Sequence, residues 1–449
     1  MSTLFTPLQI TEGRRTFHRF MGFNVFAFSI LTGNVISVFA LKLDVSNTYI
    51  GLLQSFLHLS MAFLLVGRLL MQRMSSVAVF TFGWLTRYLF ASLLLLIPLV
   101  AAGPDGTAIS GAIILVAVGG FHIFRGVGVA GQIPIVAGLA SGGDRGRFLA
   151  VNSILANTIA LAGGLAIAAL LGPDAPLGYF VACFGVAIAF GFLSVIQIRK
   201  LPEPRVDTVA SMASFFADVG SVARDVALRR FLRYLAGFAL STSALVAFLV
   251  VLSKRVFLLP DNFTVLLVAI GNMGAVVSGL INRRLVDASG SKPLIVGFQA
   301  LGMLAALAVA LSTGAVAGRH AIMVAAFFVA AGVQSGLFVS SQSYYYGLYP
   351  EQKHRNLGLL YSLVSGTAGA VGAYLGGLLL DLLALHVDLP SAFRLLFLAI
   401  ALVALVALLM SLRLVPDRRP SRRRLGAMIP VRIRRLLVRL YRSSGSAGD

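Results

Sequence analysis

The chain has 449 residues, 58% of them hydrophobic and only 12% charged, with a mean hydropathy of +0.92. That composition excludes an ordinary soluble domain and makes lipid the solvent. The formal net charge of +21 does not signal nucleic acid, because its cations are spread over loops and tails instead of gathering on one folded polar face.

A bilayer core about 30 Å thick needs roughly 20 apolar helical residues. Twelve stretches meet that length: Phe20–Leu41, Ile50–Leu70, Ser76–Leu99, Ala108–Val136, Phe148–Leu171, Leu177–Ile196, Phe231–Leu252, Phe263–Ile281, Pro293–Ser312, Ala321–Val339, Leu357–Leu380 and Ala392–Leu412. The predicted fold class is therefore an all-α membrane protein with twelve transmembrane helices. Met1–Arg19 is polar and runs straight into a span too long for a signal core, so the first span is expected to be retained. Of the 37 Lys and Arg, 30 fall on the side of the N-terminus, five on the opposite side, and Arg87 and Arg125 inside spans. This bias predicts a multi-pass plasma (inner) membrane protein with both termini cytoplasmic. Cys183 is the only cysteine, so neither an intrachain disulfide nor a thiolate metal cluster is possible.

The polar segment from Gln197 to Arg230 separates six spans from six. The expected organisation is an N-terminal half over 1–196, a linker over 197–230, a C-terminal half over 231–412 and a basic tail over 413–449. Met212–Phe231 mixes apolar and charged residues at helical spacing, which suits an amphipathic helix on the membrane surface or an extension of the seventh span equally well. A faint repeat links the halves. Arg145 and Arg147 open the fifth span and Arg355 the eleventh, each ahead of a small-residue helix containing Ala162-Gly-Gly164 or Gly372-Ala-Tyr-Leu-Gly-Gly377. Small residues let helix backbones approach in lipid, and matching positions in two halves suit an internally duplicated transporter.

After the eighth span the chain reads Arg283-Arg-Leu-Val-Asp-Ala-Ser-Gly-Ser-Lys-Pro-Leu294. With the twelve spans and the central loop, this resembles the major facilitator superfamily over essentially the whole chain. Asp287, Gly290 and Lys292 match its Gly-x-x-x-Asp-Arg-x-Gly-Arg-Lys loop, whereas Arg283, Ala288 and Ser291 depart from it. The resemblance implies a gate in which Asp287 meets a helix N-terminus and neighbouring cations, with Gly290, Lys292, Arg145, Arg147 and Arg355 as its other parts. The equivalent loop after the second span, Gly67–Ser76, has no acid.

Every Asp and Glu falls in a predicted loop or at a span end, Asp44 and Asp381 lying nearest to the membrane interior. A carboxylate proton relay of the usual kind is therefore disfavoured. Arg125 lies deep in the fourth span, where a buried cation costs at least about 2.5–3.5 kcal/mol on insertion scales. Gln132, two turns on, and His122, one turn back, extend it into a polar strip. In the superfamily the first, fourth, seventh and tenth spans line the central cavity, so the resemblance points this strip at the solute, with Asn24, Asn34 and Gln334 as further candidate contacts. Packing against backbone carbonyls is the alternative role for Arg125. His58 and Gln54 share a face of the second span, and Ser241-Thr-Ser243 lies in the seventh. Arg87, on a span the family places peripherally, is expected to snorkel or pair with a neighbouring helix. Tyr344-Tyr-Tyr346 and Tyr349 suit an interfacial aromatic belt, and Val431–Arg442 an amphipathic helix on anionic inner-leaflet lipid.

No nucleotide-binding, metal or catalytic motif is present, so the sequence predicts neither an enzyme nor a cofactor. The expected function is a secondary transporter, monomeric in the bilayer, moving a small organic solute by alternating access; an anionic solute follows if Arg125 contacts it. A proton-coupled exporter and a non-transporting assembly or scaffold protein of the same fold are the alternatives.

Overall fold

The computed structural model describes residues 5–32, 34–101, 103, 105–140, 145–204, 212–222, 224–314, 318–348 and 354–415. All regular elements among them are helical, and twelve helical stretches are long and apolar enough to cross a membrane.

The N-terminal half comprises α1 (Pro7–Leu31), α2 (Asn34–Lys42), α3 (Asn47–Leu59), α4 (Leu64–Leu70), α5 (Ser76–Ser92), α6 (Ile97–Val100), α7 (Gly106–Leu139), α8 (Arg145–Leu171) and α9 (Leu177–Ile198). Three of its spans are interrupted. The first is broken where Thr32 turns extended (φ −131°, ψ 166°) between α1 and α2. The second passes through a 3₁₀ turn, Ser60–Phe63, between α3 and α4, and the third through Leu93–Leu96 before α6. The first span also begins earlier than its hydropathy suggests. Thr6 and Gln9 form a capping box and Pro7 occupies the first turn, so helix chemistry carries α1 into polar territory.

A separate linker helix, α10 (Met212–Val222), precedes the C-terminal half of α11 (Val226–Arg255), α12 (Asp261–Ser289), α13 (Ser291–Ser312), α14 (Arg319–Leu348), α15 (His354–Ala384) and α16 (Leu389–Leu412). Asp225 caps α11 by accepting from the Ala227 amide at 2.8 Å. Gly290 joins α12 to α13 at φ 83° and ψ 170°, a conformation essentially restricted to glycine.

The halves meet in a two-fold manner: the second span of each packs on the fifth of the other, as α3 with α15 and α12 with α8. Glycines permit the first contact, since a Cβ on Gly377 would lie 2.4 Å from the Asn47 carbonyl oxygen. The opening spans of the two halves are the most enclosed, with 62% of the apolar window buried in the first and 78% in the seventh, whereas no other span exceeds 50%. Tyr344 and Tyr345 depart from the expected belt. They are buried and stack on Phe231 at centroid distances of 5.4 and 5.2 Å, because the tenth span turns that face toward α11. The Tyr346 side chain, Tyr349 and the tail helix Val431–Arg442 lie outside the described residues.

Candidate functional site

At the end of the bundle away from the termini, charges bind the halves together. Asp261, the first residue of α12, is 1% exposed and lies 2.6 Å from Lys254 and 3.0 Å from Lys42 of the other half. Lys42 also reaches the exposed Asp174 at 2.5 Å, holding its carboxyl below the usual range. The Ala175 amide donates to Asp261, and the Asp261 and Asn262 amides donate to Pro173 and Gly172. Asp381, near the end of α15, accepts from the Asn47 amide at 3.1 Å, the Asn47 side chain at 2.7 Å and the Thr48 amide at 2.7 Å. A carboxylate across the start of α3 satisfies its orphan donors and its dipole.

Behind this seal lies a cavity of about 300 Å³ between the halves. The broken first span contributes Phe28, Ser29, Thr32 and Val35; the second Gln54 and His58; the fifth Gly164; the seventh Ser243; the eighth Asn272; and the tenth Gln334. No Asp or Glu is among its lining residues. Gln54 donates to Ser37 at 2.7 Å. His58 rests on bare backbone of the opposite half, for a Cβ on Gly369 would stand 2.8 Å from its Nδ1.

Arg125 approaches this wall from behind. Its Nη1 donates to Ser60 Oγ at 3.1 Å, in the 3₁₀ turn two residues past His58, and its guanidinium lies 5.1 Å from the ring centroid of Phe28. A 3₁₀ segment inside a span often marks a hinge, and here it carries the arginine's hydroxyl partner.

The rest of the expected strip goes elsewhere. His122 is 2% exposed, with Nδ1 lacking a partner among the described residues, and it does not line the cavity. Gln132 is half-buried and also lies off it. Asn24 faces the interior of its own half, accepting from Trp84 Nε1 at 2.8 Å and the Tyr88 hydroxyl at 3.3 Å. Of the six expected solute contacts only Gln334 is on the cavity wall, and the Asn34 side chain lies outside the described residues. Ser29 and Asn272 were not singled out from sequence; each is an ordinary polar residue in an apolar span, and only the assembled bundle distinguishes it.

Arg87 does not snorkel; it packs against neighbouring helices and meets no acid among the described residues. It is 0% exposed, donates from Nη2 to the Tyr88 hydroxyl at 3.0 Å, and lies 4.1 Å from the Phe121 ring, 4.6 Å from Tyr88, 4.7 Å from Trp84 and 5.8 Å from Phe28. Aromatic faces stabilise a desolvated cation by up to about 2 kcal/mol or more each, so the ring system takes the place of a counter-ion.

Of the expected gate, Gly290 is the turn described above. Lys292 donates to the Leu412 and Leu414 carbonyls at 3.0 and 2.6 Å, tying the start of α13 to the end of α16, where a cation suits the helix dipole. The side chains of Asp287, Arg145, Arg147 and Arg355 lie outside the described residues.

Known structures share this fold. The nucleoside transporter NupG superposes with a TM-score of 0.69 at 10% identity, covering 89% of this chain and 99% of that one. A D-xylose–proton symporter gives 0.68 at 15% identity over 91% and 99%. A bacterial homologue of the iron transporter ferroportin, inward-facing, gives 0.65 at 14% over 92% and 100%. No curated protein matches the chain in sequence. Residues 266–444 match the family model described as Major Facilitator Superfamily. The chain is thus a multi-pass membrane protein whose C-terminal part matches the Major Facilitator Superfamily model and whose whole bundle has the fold of the solved transporters.

Proposed function

We propose that the protein is a secondary transporter that carries a small organic anion by alternating access through the cavity between its halves. The observation that carries the reading is a cavity wall with no carboxylate, backed by Arg125 and carrying His58. In a site of low dielectric, a cation whose strongest protein partner is a hydroxyl gains more from a bound carboxylate or sulfonate than from water. Gln334, Asn272, Ser243 and Gln54 supply neutral hydrogen bonds for the rest of the solute. The far-end contacts support a conformation closed on that side. With the termini cytoplasmic in a plasma-type membrane, the cavity of this conformation would serve the cytoplasmic side.

The test is thermal unfolding of the purified protein and Arg125→Ala against a panel of organic anions. A ligand at about 100 times its dissociation constant stabilises by about 2.7 kcal/mol. A shift in the wild type that Arg125→Ala loses supports the reading; the absence of any shift across the panel removes the anionic solute and favours a non-transporting scaffold.

A proton-coupled exporter is the second reading, favoured by the buried Nδ1 of His122, which has no partner among the described residues and lies one turn from Arg125. Uptake into vesicles with and without an imposed proton gradient separates the two. A rate indifferent to the gradient removes coupling through His122.

A further inference from the structure

A second cationic concavity lies where α1 leaves the membrane toward the termini. Thr11, Arg14, Arg15, His18 and Arg19 of α1 face Leu155 of α8 across an open groove. Arg14 is committed to the fold: its Nε donates to the Leu139 carbonyl at 2.8 Å and its guanidinium lies 5.1 Å from the Phe148 ring. Arg15 and Arg19 are exposed. His18 also lines the groove, and its Nε2 is buried without a partner among the described residues.

The groove and the central cavity share one face of α1. Thr11, Arg15, His18, Gly22, Val25, Ser29 and Thr32 follow one another at alternating spacings of four and three, the repeat of a single helical stripe. The first five turns of this stripe contain no buried member as far as Ser29, whereas Gly13, Phe17, Phe20 and Ala27 beside it are buried. Its outer end lines the cationic groove and its inner end lines the cavity.

We propose that Arg15, Arg19 and His18 form a reception site for the anionic group of the solute, a carboxylate, sulfonate or phosphate, at the outer end of a stripe leading to the cavity. The proposal rests on the reading of the cavity as an anion site. A cleft lined by one sign of charge concentrates ions of the opposite sign and raises their on-rate by about 10- to 1,000-fold, an effect that salt removes. A headgroup of an anionic lipid has the same chemistry and is the competing occupant.

The test uses the full chain in lipid nanodiscs, with Cys183→Ser to remove the native thiol and Ser29→Cys to place a reporter in the cavity. The rates of modification by the anionic sulfonatoethyl and the cationic trimethylammonioethyl methanethiosulfonates are compared. In phosphatidylcholine discs the anionic reagent is expected to react faster by about tenfold, the lower end of such focusing. Raising the salt, or Arg15→Gln with Arg19→Gln, is expected to bring the ratio close to one, while His386→Cys at the far end shows no dependence on those arginines. A ratio unchanged by the double variant overturns the proposal. So does a ratio that phosphatidylglycerol discs abolish, which would assign the groove to lipid. The organic-anion panel on the double variant separates this failure from that of the cavity reading: retained thermal shifts leave the cavity site standing, whereas no shift in either protein removes the cavity reading even if the reagent ratio holds.

Discussion

Cations at the far end of the bundle and cations inside it are satisfied in different ways. Lys42 and Lys254 share the buried carboxylate of Asp261 across the two halves. Arg87 and Arg125 have no such acid among the described residues: one is enclosed by four rings, while the other bonds a serine hydroxyl behind the cavity. A paired cation fixes two bodies against one another, an enclosed cation fixes the interior of one body, and a cation held by a single neutral acceptor retains the capacity to bind something else. On that difference the proposed solute contact is Arg125 and not the more deeply buried Arg87.

The comparison breaks most sharply at Asp261. Removing one partner of a buried ion pair costs about 3–5 kcal/mol, so Asp261→Asn is expected to shift the protein away from the sealed conformation, read as faster labelling of a cysteine placed at Ser29 from the far side. Arg87→Ala should cost about 3 kcal/mol of stability through the void left among its rings, with Arg87→Met costing less; both should preserve anion-induced thermal shifts. Loss of those shifts would place Arg87 in the solute site after all. Arg125→Gln reverses the pattern, lowering anion affinity by about tenfold or more, as expected for a hydrogen bond to a charged group, with little change in the unliganded melting temperature. Gln334→Ala should weaken binding by less than about tenfold, a neutral hydrogen bond contributing about 1 kcal/mol, in isothermal titration with the same anion.

The smallest effect concerns pH. Lys42 holds Asp174 below the usual carboxylate range. A depressed pKa means that the ion pair's contribution is fully present above the unfolded value and is lost as pH falls through the folded one. Labelling at the far end should therefore be flat from neutral pH down to the ordinary carboxylate range and rise only below it; an increase near pH 6 would assign the seal to another group.

Much of the fold was legible because lipid imposes a single strong rule. All twelve spans could be read from length and hydropathy, with errors mainly at ends such as Pro7, where a capping box extends the helix through polar residues. The break in the first span had a local signal in Thr32-Gly-Asn34, turn-forming residues in the middle of an apolar stretch, but its value depends on the cavity that it borders. The site was less legible. Helical spacing correctly places His122 and Arg125 near one another along α7 but does not say which neighbour that face meets. Asn24 belongs to Trp84 and Tyr88 because three spans converge there. Arg87 illustrates the same limit, since its rings come from the first, third and fourth spans, and no local pattern in the third announces them.

The cap that Asp381 places on α3 has a consequence for observing transport. The amides of Asn47 and Thr48 are held by the opposite half, while that of Tyr49 is held by Ser46 of its own chain segment. Separation of the halves at this end would release the first two amides to water and leave the third bonded. Deuterium uptake at Asn47 and Thr48, normalised to Tyr49, would then act as an intrinsic clock for the opening step, counting excursions of the native protein without a label or a known cargo.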